Sequence, residues 1–335
     1  MIWLTWRQFR TQAAVMFAVV AAFAAALAVT GPQLADLYRA TGSSLADRIS
    51  SSDQTLYYAG LMVVLAVPAV IGMFWGAPLI ARELETGTHH LAWNQGVTRT
   101  RWLATKLSIG AAAAVTAAGL AALTVSWWSS PIDRAVDGGG PTDTYFSRLD
   151  PVAFVARGVV PVAHAAFAFV LGVALGLVIR RTLPAMATTP VLYAAVQLTV
   201  PMWVRPRLIS PDRTTVPIEP GIPISIQDES AREIVVHPDL PGAWITSQQT
   251  LNAAGQPSSP PSSFGDCLYG ESDIPSLQHV DRCIADLGAQ GYQQQVTYHP
   301  AGDFWALQWA ETGIYLGLAL ALTGFCAWWI RRRLN

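Results

Sequence analysis

The sequence predicts an all-α membrane protein of six transmembrane helices, with a small α+β domain set between the fifth and the sixth. Three observations lead there. The 335-residue chain is 52% hydrophobic and only 13% charged, about half the charged share of an ordinary soluble domain. Its apolar residues gather into six runs long enough for a bilayer, which takes roughly 20 residues of helix. A polar stretch, rich in Pro, Ser and Gln, fills residues 205–303 and explains why mean hydropathy is only +0.34.

The six runs cover residues 11–30, 56–80, 104–129, 152–179, 183–204 and 304–330. Residues 1–10 place Ile2, Trp3, Trp6 and Phe9 on one side and Arg7 and Arg10 on another. That pattern suits a helix lying at the membrane interface, or a simple extension of the first span. The first apolar run is long for a signal peptide and no Ala-Xaa-Ala site stands just before Gly31, so cleavage is not expected. Arg7 and Arg10 precede span 1; Arg82, Arg99, Arg101 and Lys106 lie between spans 2 and 3; Arg180 and Arg181 lie between spans 4 and 5; Arg331, Arg332 and Arg333 follow span 6. Cationic residues concentrate in short cytoplasmic segments, so both termini and these two connectors are expected in the cytoplasm. Tyr57, Tyr58, Trp127, Trp128, Trp203 and Trp305 then mark the outer interface, and Trp75, Trp102, Trp328 and Trp329 the inner one. Arginine greatly outnumbers the single lysine and alanine is abundant, a composition that fits a GC-rich bacterial genome.

Residues 205–303 are too many for a connector inside a compact bundle and are expected to form an extracytoplasmic domain. Residues 222–227 and 243–248 alternate as strands do, and 294–298 form a further short strand. Residues 254–263 read as an irregular loop. Within 275–288, Leu277, Val280, Cys283, Ile284 and Leu287 make a helical stripe ended by Gly288. Cys267 and Cys283 are the domain's two cysteines; on the oxidising side of a membrane they are expected to be bridged. A zinc site using His279 or His299 is the competing reading, without the tight ligand spacing zinc sites show.

Several activities are excluded by residue type. A net charge of -1 leaves no cationic excess for nucleic acid. The only lysine, Lys106, is followed by Leu107, so the Gly-rich phosphate loop of an ATPase is absent. His89 and His90 are adjacent, so on a helix they point about 100° apart and share no metal. The sequence holds no catalytic constellation and no metal or cofactor of its own is expected. Ionisable residues within spans do invite a functional reading. Arg157 and His164 are seven apart around Pro161, roughly on one face of span 4; Gln197 lies in span 5 and Glu311 in span 6. Two readings stand open: a substrate pathway wall, with Glu311 paired to Arg157, or an Arg157 that snorkels outward while His164 bonds a neighbouring helix. Gly172 and Gly176 form a Gly-Xaa-Xaa-Xaa-Gly pattern suited to close helix contact.

Residues 82–107 join a charged, Gly-containing turn (Arg-Glu-Leu-Glu-Thr-Gly-Thr) to an apolar/polar helix and a basic lead into span 3. This stretch resembles the connector after the second span of ABC-2 type permeases. Residues 2–12, 298–315 and 328–334 resemble the actinobacterial branch of that family. The resemblance implies an ABC-2/type V exporter-like fold and a half-transporter: two permease chains, alike or sister, make the pathway. Separate ABC ATPase subunits, which hold the ATP and Mg2+, dock on the cytoplasmic side. Segment 81–103 would then carry the coupling helix. Gly87 permits the turn and Thr88 is placed to cap the helix. Leu91, Trp93 and Val97 offer an apolar docking face, and Glu83, Glu85, Arg99 and Arg101 offer charges for a partner. The expectation is a plasma-membrane exporter of a drug, antibiotic, lipid or peptide. The alternative is a membrane sensor or scaffold whose outer domain binds ligand and signals through the connector without transport.

Overall fold

The computed structural model describes residues 2–88, 98–140, 145–222, 224–226, 234–269 and 277–333. The chain forms two compact units. Met1–Leu208 with Phe304–Asn335 is helical, and Ile209–Asp303 is inserted between its last two long helices. Among the described residues, six helices are long and apolar enough to cross a membrane.

In the helical unit, α1 runs from Ile2 to Thr41 without interruption. The separate interfacial helix allowed for residues 1–10 is therefore not a distinct element. Phe9 is buried and meets the Trp75 ring edge-on at 4.7 Å, which draws the start of α1 into the bundle. A 3-10 turn, Gly42–Arg48, leads to α2, Ser51–Ile71. Ser50 caps α2 by accepting from the Asp53 amide, satisfying one of the donors a helix start leaves free. A π-helical turn, Gly72–Gly76, carries the chain into α3, Ala77–Glu85. α4, Arg99–Asp137, begins at a Thr98 cap. A one-turn helix α5, Pro151–Phe154, precedes α6, Val160–Ile179. α7, Thr182–Thr199, continues through a π turn, Val200–Val204, and a 3-10 turn, Arg205–Arg207. α10, Phe304–Arg333, closes the unit.

α6 lies at its centre. It contacts α2, α3, α4, α7 and α10, and nearly all of its residues are buried. Glycine makes the approach possible. A Cβ on Gly72 would lie 2.6 Å from the Ala168 carbonyl oxygen, and one on Gly76 2.3 Å from that of Phe169. From the other helix, a Cβ on Gly172 would lie 2.3 Å from the Gly72 oxygen and one on Gly176 2.4 Å from that of Ala77. So the predicted Gly172/Gly176 pair is one half of a matched crossing, whose other half is Gly72/Gly76. Small residues let two backbones touch where apolar surroundings supply no hydrophobic drive for helices to associate.

The fourth run departs from expectation. It is not one helix over 152–179, because the backbone breaks between α5 and α6, with Gly158 at φ 63°. Arg157 sits in that break and Pro161 occupies the first turn of α6, where its missing amide costs nothing. The same-face argument for Arg157 and His164, and the kink assigned to Pro161, therefore fail. The boundary of the inserted unit also lies later than expected, after Leu208, because Arg205 belongs to the helical unit.

The inserted unit is α+β. β1 (Asp212–Pro217), β5 (Gln293–His299) and β4 (Trp244–Leu251) form an antiparallel sheet in the order β1-β5-β4; β2 (Ile224–Ile226) and β3 (Ile234–Val236) pair separately. α8 (Ser262–Tyr269) and α9 (Leu277–Ala289) complete it. Strands β1 and β3 and helix α8 were not anticipated, and α8 takes up the end of the stretch read as loop. Two glutamines bind β3 to the larger sheet. The Gln248 carboxamide accepts from the Val236 amide and donates to the Val236 carbonyl, and Gln294 donates to the Ile234 carbonyl. Ile218, Ile234, Phe264, Leu268, Ile284 and Leu287 form its core. Cys267 and Cys283 are disulfide-bonded across α8 and α9. His279 lies beside them, its Nε2 2.5 Å from the Cys267 carbonyl oxygen. With both sulfurs bonded to each other, neither is a thiolate ligand.

Two outcomes are expected. Gly76→Leu drives a side chain into the Phe169 carbonyl and destabilises the helical unit by about 1–3 kcal/mol or more. Gly119→Ala, whose Cβ would meet only Val162 at 3.6 Å, is tolerated. Thermal unfolding of both variants in mild detergent checks the contrast. Cys267→Ser frees a loop of 16 residues and weakens the inserted unit by about 3 kcal/mol, read as faster proteolysis within residues 209–303.

Candidate functional site

Two polar constellations in the helical unit carry the predicted site residues. One lies where α3 runs out towards residue 88. Gly87 has φ 70°, a conformation that suits glycine, and Thr88 shares a hydrogen bond with Thr86. Leu91, Trp93 and Val97 fall outside the described residues. The helix that Thr88 is expected to cap lies outside the described residues; Thr98 caps the next one, which holds Arg99 and Arg101. The two acids expected to face a partner are engaged within the chain. Glu83 accepts from Lys106 Nζ at 2.6 Å. Lys106 is buried, lies over the Trp102 ring and also reaches the Leu79 carbonyl. Glu85 accepts from the Thr182 amide at 2.9 Å and its hydroxyl at 2.6 Å. Arg181, the N-cap position of α7, makes no side-chain cap; Glu85 supplies that cap from α3, with its negative charge at the favourable end of the helix dipole. Ala77, Ala81 and Ala185 pack beneath it with no exposure. A groove of about 420 Å³ beside this region is lined by Phe9, Trp75, Pro78, Arg82, Glu83 and Thr88 among others.

The other constellation lies among α6, α7 and α10. Glu311 and Arg205 are both fully buried and meet in a bidentate pair, Nε to Oε2 at 2.7 Å and Nη2 to Oε1 at 3.1 Å. The planar fork of arginine matches a carboxylate in this way. The Phe154 ring covers the guanidinium at 4.1 Å and the Pro151 carbonyl accepts from Nη1. From Glu311 a chain of polar groups runs inward. Tyr315 donates to Gln197 Oε1 at 2.9 Å, which turns Gln197 Nε2 to His164 Nδ1 at 3.1 Å. An amide nitrogen only donates, so Nδ1 accepts and the ring proton sits on Nε2. That nitrogen faces Glu311 Oε1 at 3.5 Å, a long electrostatic contact. Thus the structure brings together His164, Gln197 and Glu311, and adds Tyr315 and Arg205, which the sequence reading had not included. Nearby, Gln308 closes the backbone break: its Oε1 accepts from the Val159 and Val160 amides and its Nε2 donates to the Phe154 carbonyl. Burial raises the carboxyl of Asp150, which caps α5, while its bonds to the Val152 and Ala153 amides and the charge of Arg205 oppose that shift.

The predicted Arg157–Glu311 pair is not formed. Arg157 is 2% exposed and gives Nε to Asp133 Oδ2 at 3.2 Å, with its guanidinium 5.5 Å from the Tyr57 ring centre. Its Nη1 and Nη2, and Asp133 Oδ1, have no hydrogen-bond partner. Asp133 was missed because it lies at the end of a long apolar run, where it reads as an interfacial residue.

The family profile described as ABC-2 membrane transporter related matches residues 17–205, more than half of the 335 residues, and the chain belongs to that family. Its members are membrane components that normally work with an ATPase subunit. No curated protein and no solved structure matches the chain.

Removing one partner of a buried ion pair leaves a charge with no water to solvate it, at a cost of about 3–5 kcal/mol. Arg205→Met and Glu311→Leu are each expected to destabilise the helical unit by that order, and the double variant to recover most of the loss. Unfolding midpoints of the three variants in detergent check this double-mutant cycle.

Proposed function

We propose that this chain is the permease subunit of an ATP-driven exporter, and that segment 81–103 takes the push of a separate ATPase on the cytoplasmic side. The observation that carries the proposal is the anchoring of the connector. Glu83 is joined to Lys106 of α4 and Glu85 to Thr182 of α7, so a force on residues beyond Thr88 acts on three spans together. Arg99 and Arg101, with the apolar residues Leu91, Trp93 and Val97 of the same segment, are assigned to meet the partner. This chain holds no nucleotide; ATP and Mg2+ belong to the partner. A second permease chain, identical or sister, completes the pathway.

Arginine placement favours cytoplasmic termini, with residues 209–303 outside, where a Cys267–Cys283 bridge persists. His164, Gln197 and Glu311 serve as an internal fastening of α6, α7 and α10. Arg157 lies outside that fastening and has two unpartnered nitrogens, and it is the one of the four assigned here to meet a passing polar group. The substrate class spans drugs, antibiotics, lipids and peptides. One observation favours the sensor reading as second: a cleft of about 530 Å³ in the inserted unit, lined by uncharged groups including Thr246, Gln248, Thr250 and Ser258.

The test is purification of the full chain from its native membrane in mild detergent, with ATPase activity and the partner's peptide sequence determined. An ATPase with a phosphate-binding loop should accompany the chain. Gly87→Val, which forces a branched side chain to positive φ, should lower substrate-stimulated hydrolysis severalfold while the permease stays folded. A chain that purifies without an ATPase contradicts the exporter. Hydrolysis that responds to a ligand of the inserted unit with no movement of that ligand across the bilayer selects the sensor.

A further inference from the structure

The inserted unit carries a sheet with one edge left half covered. β4 is outermost in the order β1-β5-β4, so one row of its N–H and C=O groups has no strand of the sheet beside it. The chain covers only the end of that row. After β4 it turns back, and Leu251 comes to lie opposite Pro257. There the Ser258 amide donates to the Thr250 carbonyl at 3.0 Å, and the Asn252 amide to the Gln256 carbonyl at 2.9 Å. In the same register the returning segment would next bring Pro260 beside Gln248. Pro260 and Pro261 have no N–H to give, and the pairing stops at Ser258. β3 does not take over. Its Val236 and Ile234 are held by the side chains of Gln248 and Gln294, not by a backbone ladder to β4.

The cleft of about 530 Å³ lies along what is left of the edge. A cleft over one face of a strand meets alternate residues, because successive side chains point to opposite faces. This one is lined by Ile245 through Thr250 in unbroken succession, together with Ile234 and Val235 of β3 and with Pro257, Ser258 and Ser259. It therefore follows the strand's edge. Thr250 turns its carbonyl away from β5, and the register is regular from Ser247 to Leu251. Gln248, two residues earlier, then turns its N–H and C=O the same way. No charged side chain and no aromatic ring lines the cleft.

We propose that the inserted unit binds a short, uncharged peptide in extended form, which adds to β4 along Gln248 and continues the row that Ser258 begins. An extended peptide presents N–H and C=O groups at the spacing of a strand edge; its main-chain bonds supply affinity and its alternate side chains specificity. The occupant follows from continuity, since Gln256–Ser258 already sits on this edge as a strand does. A charged side chain would find no opposite charge in the cleft, and a sugar ring no aromatic face to lie on. The lining stretch of β4 is about 20 Å long, room for a peptide of about five residues. The inference names the ligand class of the cleft on which the sensor reading rests, and it applies to a receptor and to a transporter alike.

The test uses the full chain in lipid nanodiscs without the ATPase, with a panel of capped, neutral pentapeptides of alternating β-branched residues. Peptides of the panel should slow hydrogen exchange at residues 247–250 about tenfold and leave the helical unit unchanged. The same peptides N-methylated at alternate residues lose the donors of one row and should bind about tenfold more weakly, the loss of roughly one hydrogen bond. Ser259→Trp, at an exposed position of the lining, fills the cleft while leaving the β4–β5 ladder in place, and should abolish the protection. A panel that leaves exchange unchanged overturns the proposal, as do N-methylated peptides that bind as well as their parents. Protection of the same residues by maltopentaose and not by peptide assigns the cleft to a sugar and overturns it too. Peptide binding by a chain that purifies with no ATPase keeps this site and loses the exporter; an ATPase partner without peptide binding does the reverse.

Discussion

The backbone contact between the α2–α3 turn and α6 is the constraint on which the helical unit depends. Four glycines, Gly72, Gly76, Gly172 and Gly176, bring carbonyl oxygens to positions a methyl group would fill. Only at that distance can α6 be surrounded by five helices and remain nearly free of exposure. The π turn at Gly72–Gly76 belongs to the same arrangement, since an extra residue in the turn rotates the glycines onto the facing helix. Gly110 extends it, because a Cβ there would strike the Phe169 ring. α6 is thus the fixed post around which the other spans are arranged.

Polar groups within the bundle follow from that. In a hydrocarbon surrounding, each donor and acceptor must find a partner inside the protein. The break before α6 leaves the Val159 and Val160 amides open, and Gln308 closes both. Arg205 and Glu311 neutralise each other, and Tyr315, Gln197 and His164 Nδ1 are linked in a single sense of donation. Arg157 Nη1 and Nη2 with Asp133 Oδ1 are among the groups without a hydrogen-bond partner, as are His164 Nε2, the Tyr193 hydroxyl and Thr312 Oγ1.

Much of the architecture was legible in the sequence because it depends on composition along the chain. Six apolar runs become six helices, and Cys267 bonds Cys283. The stripe Val280, Cys283, Ile284 and Leu287 faces the core of the inserted unit. What was not legible depends on groups distant in sequence. Gly158 and Gln308 together decide that α6 starts at Val160, and neither has a local signal. Glu311 was recognised as costly inside a span, yet its partner was misassigned, because Arg205 looked like the first residue of a polar domain. Glu83 and Glu85 were read as charges for a partner from their place in a charged turn; their contacts within the chain, Lys106 and Thr182, lie in other helices and had no local signal. Those contacts make the two charges of the turn joints of the connector.

The proposed function has a partner push on the connector through those joints, and this is the account's central claim. A photo-crosslinking amino acid at Thr88, activated in native membranes, tests it most directly. The account predicts a crosslinked product whose second chain carries the phosphate-binding loop of an ATPase. Products with lipid or with another copy of this chain alone would contradict it.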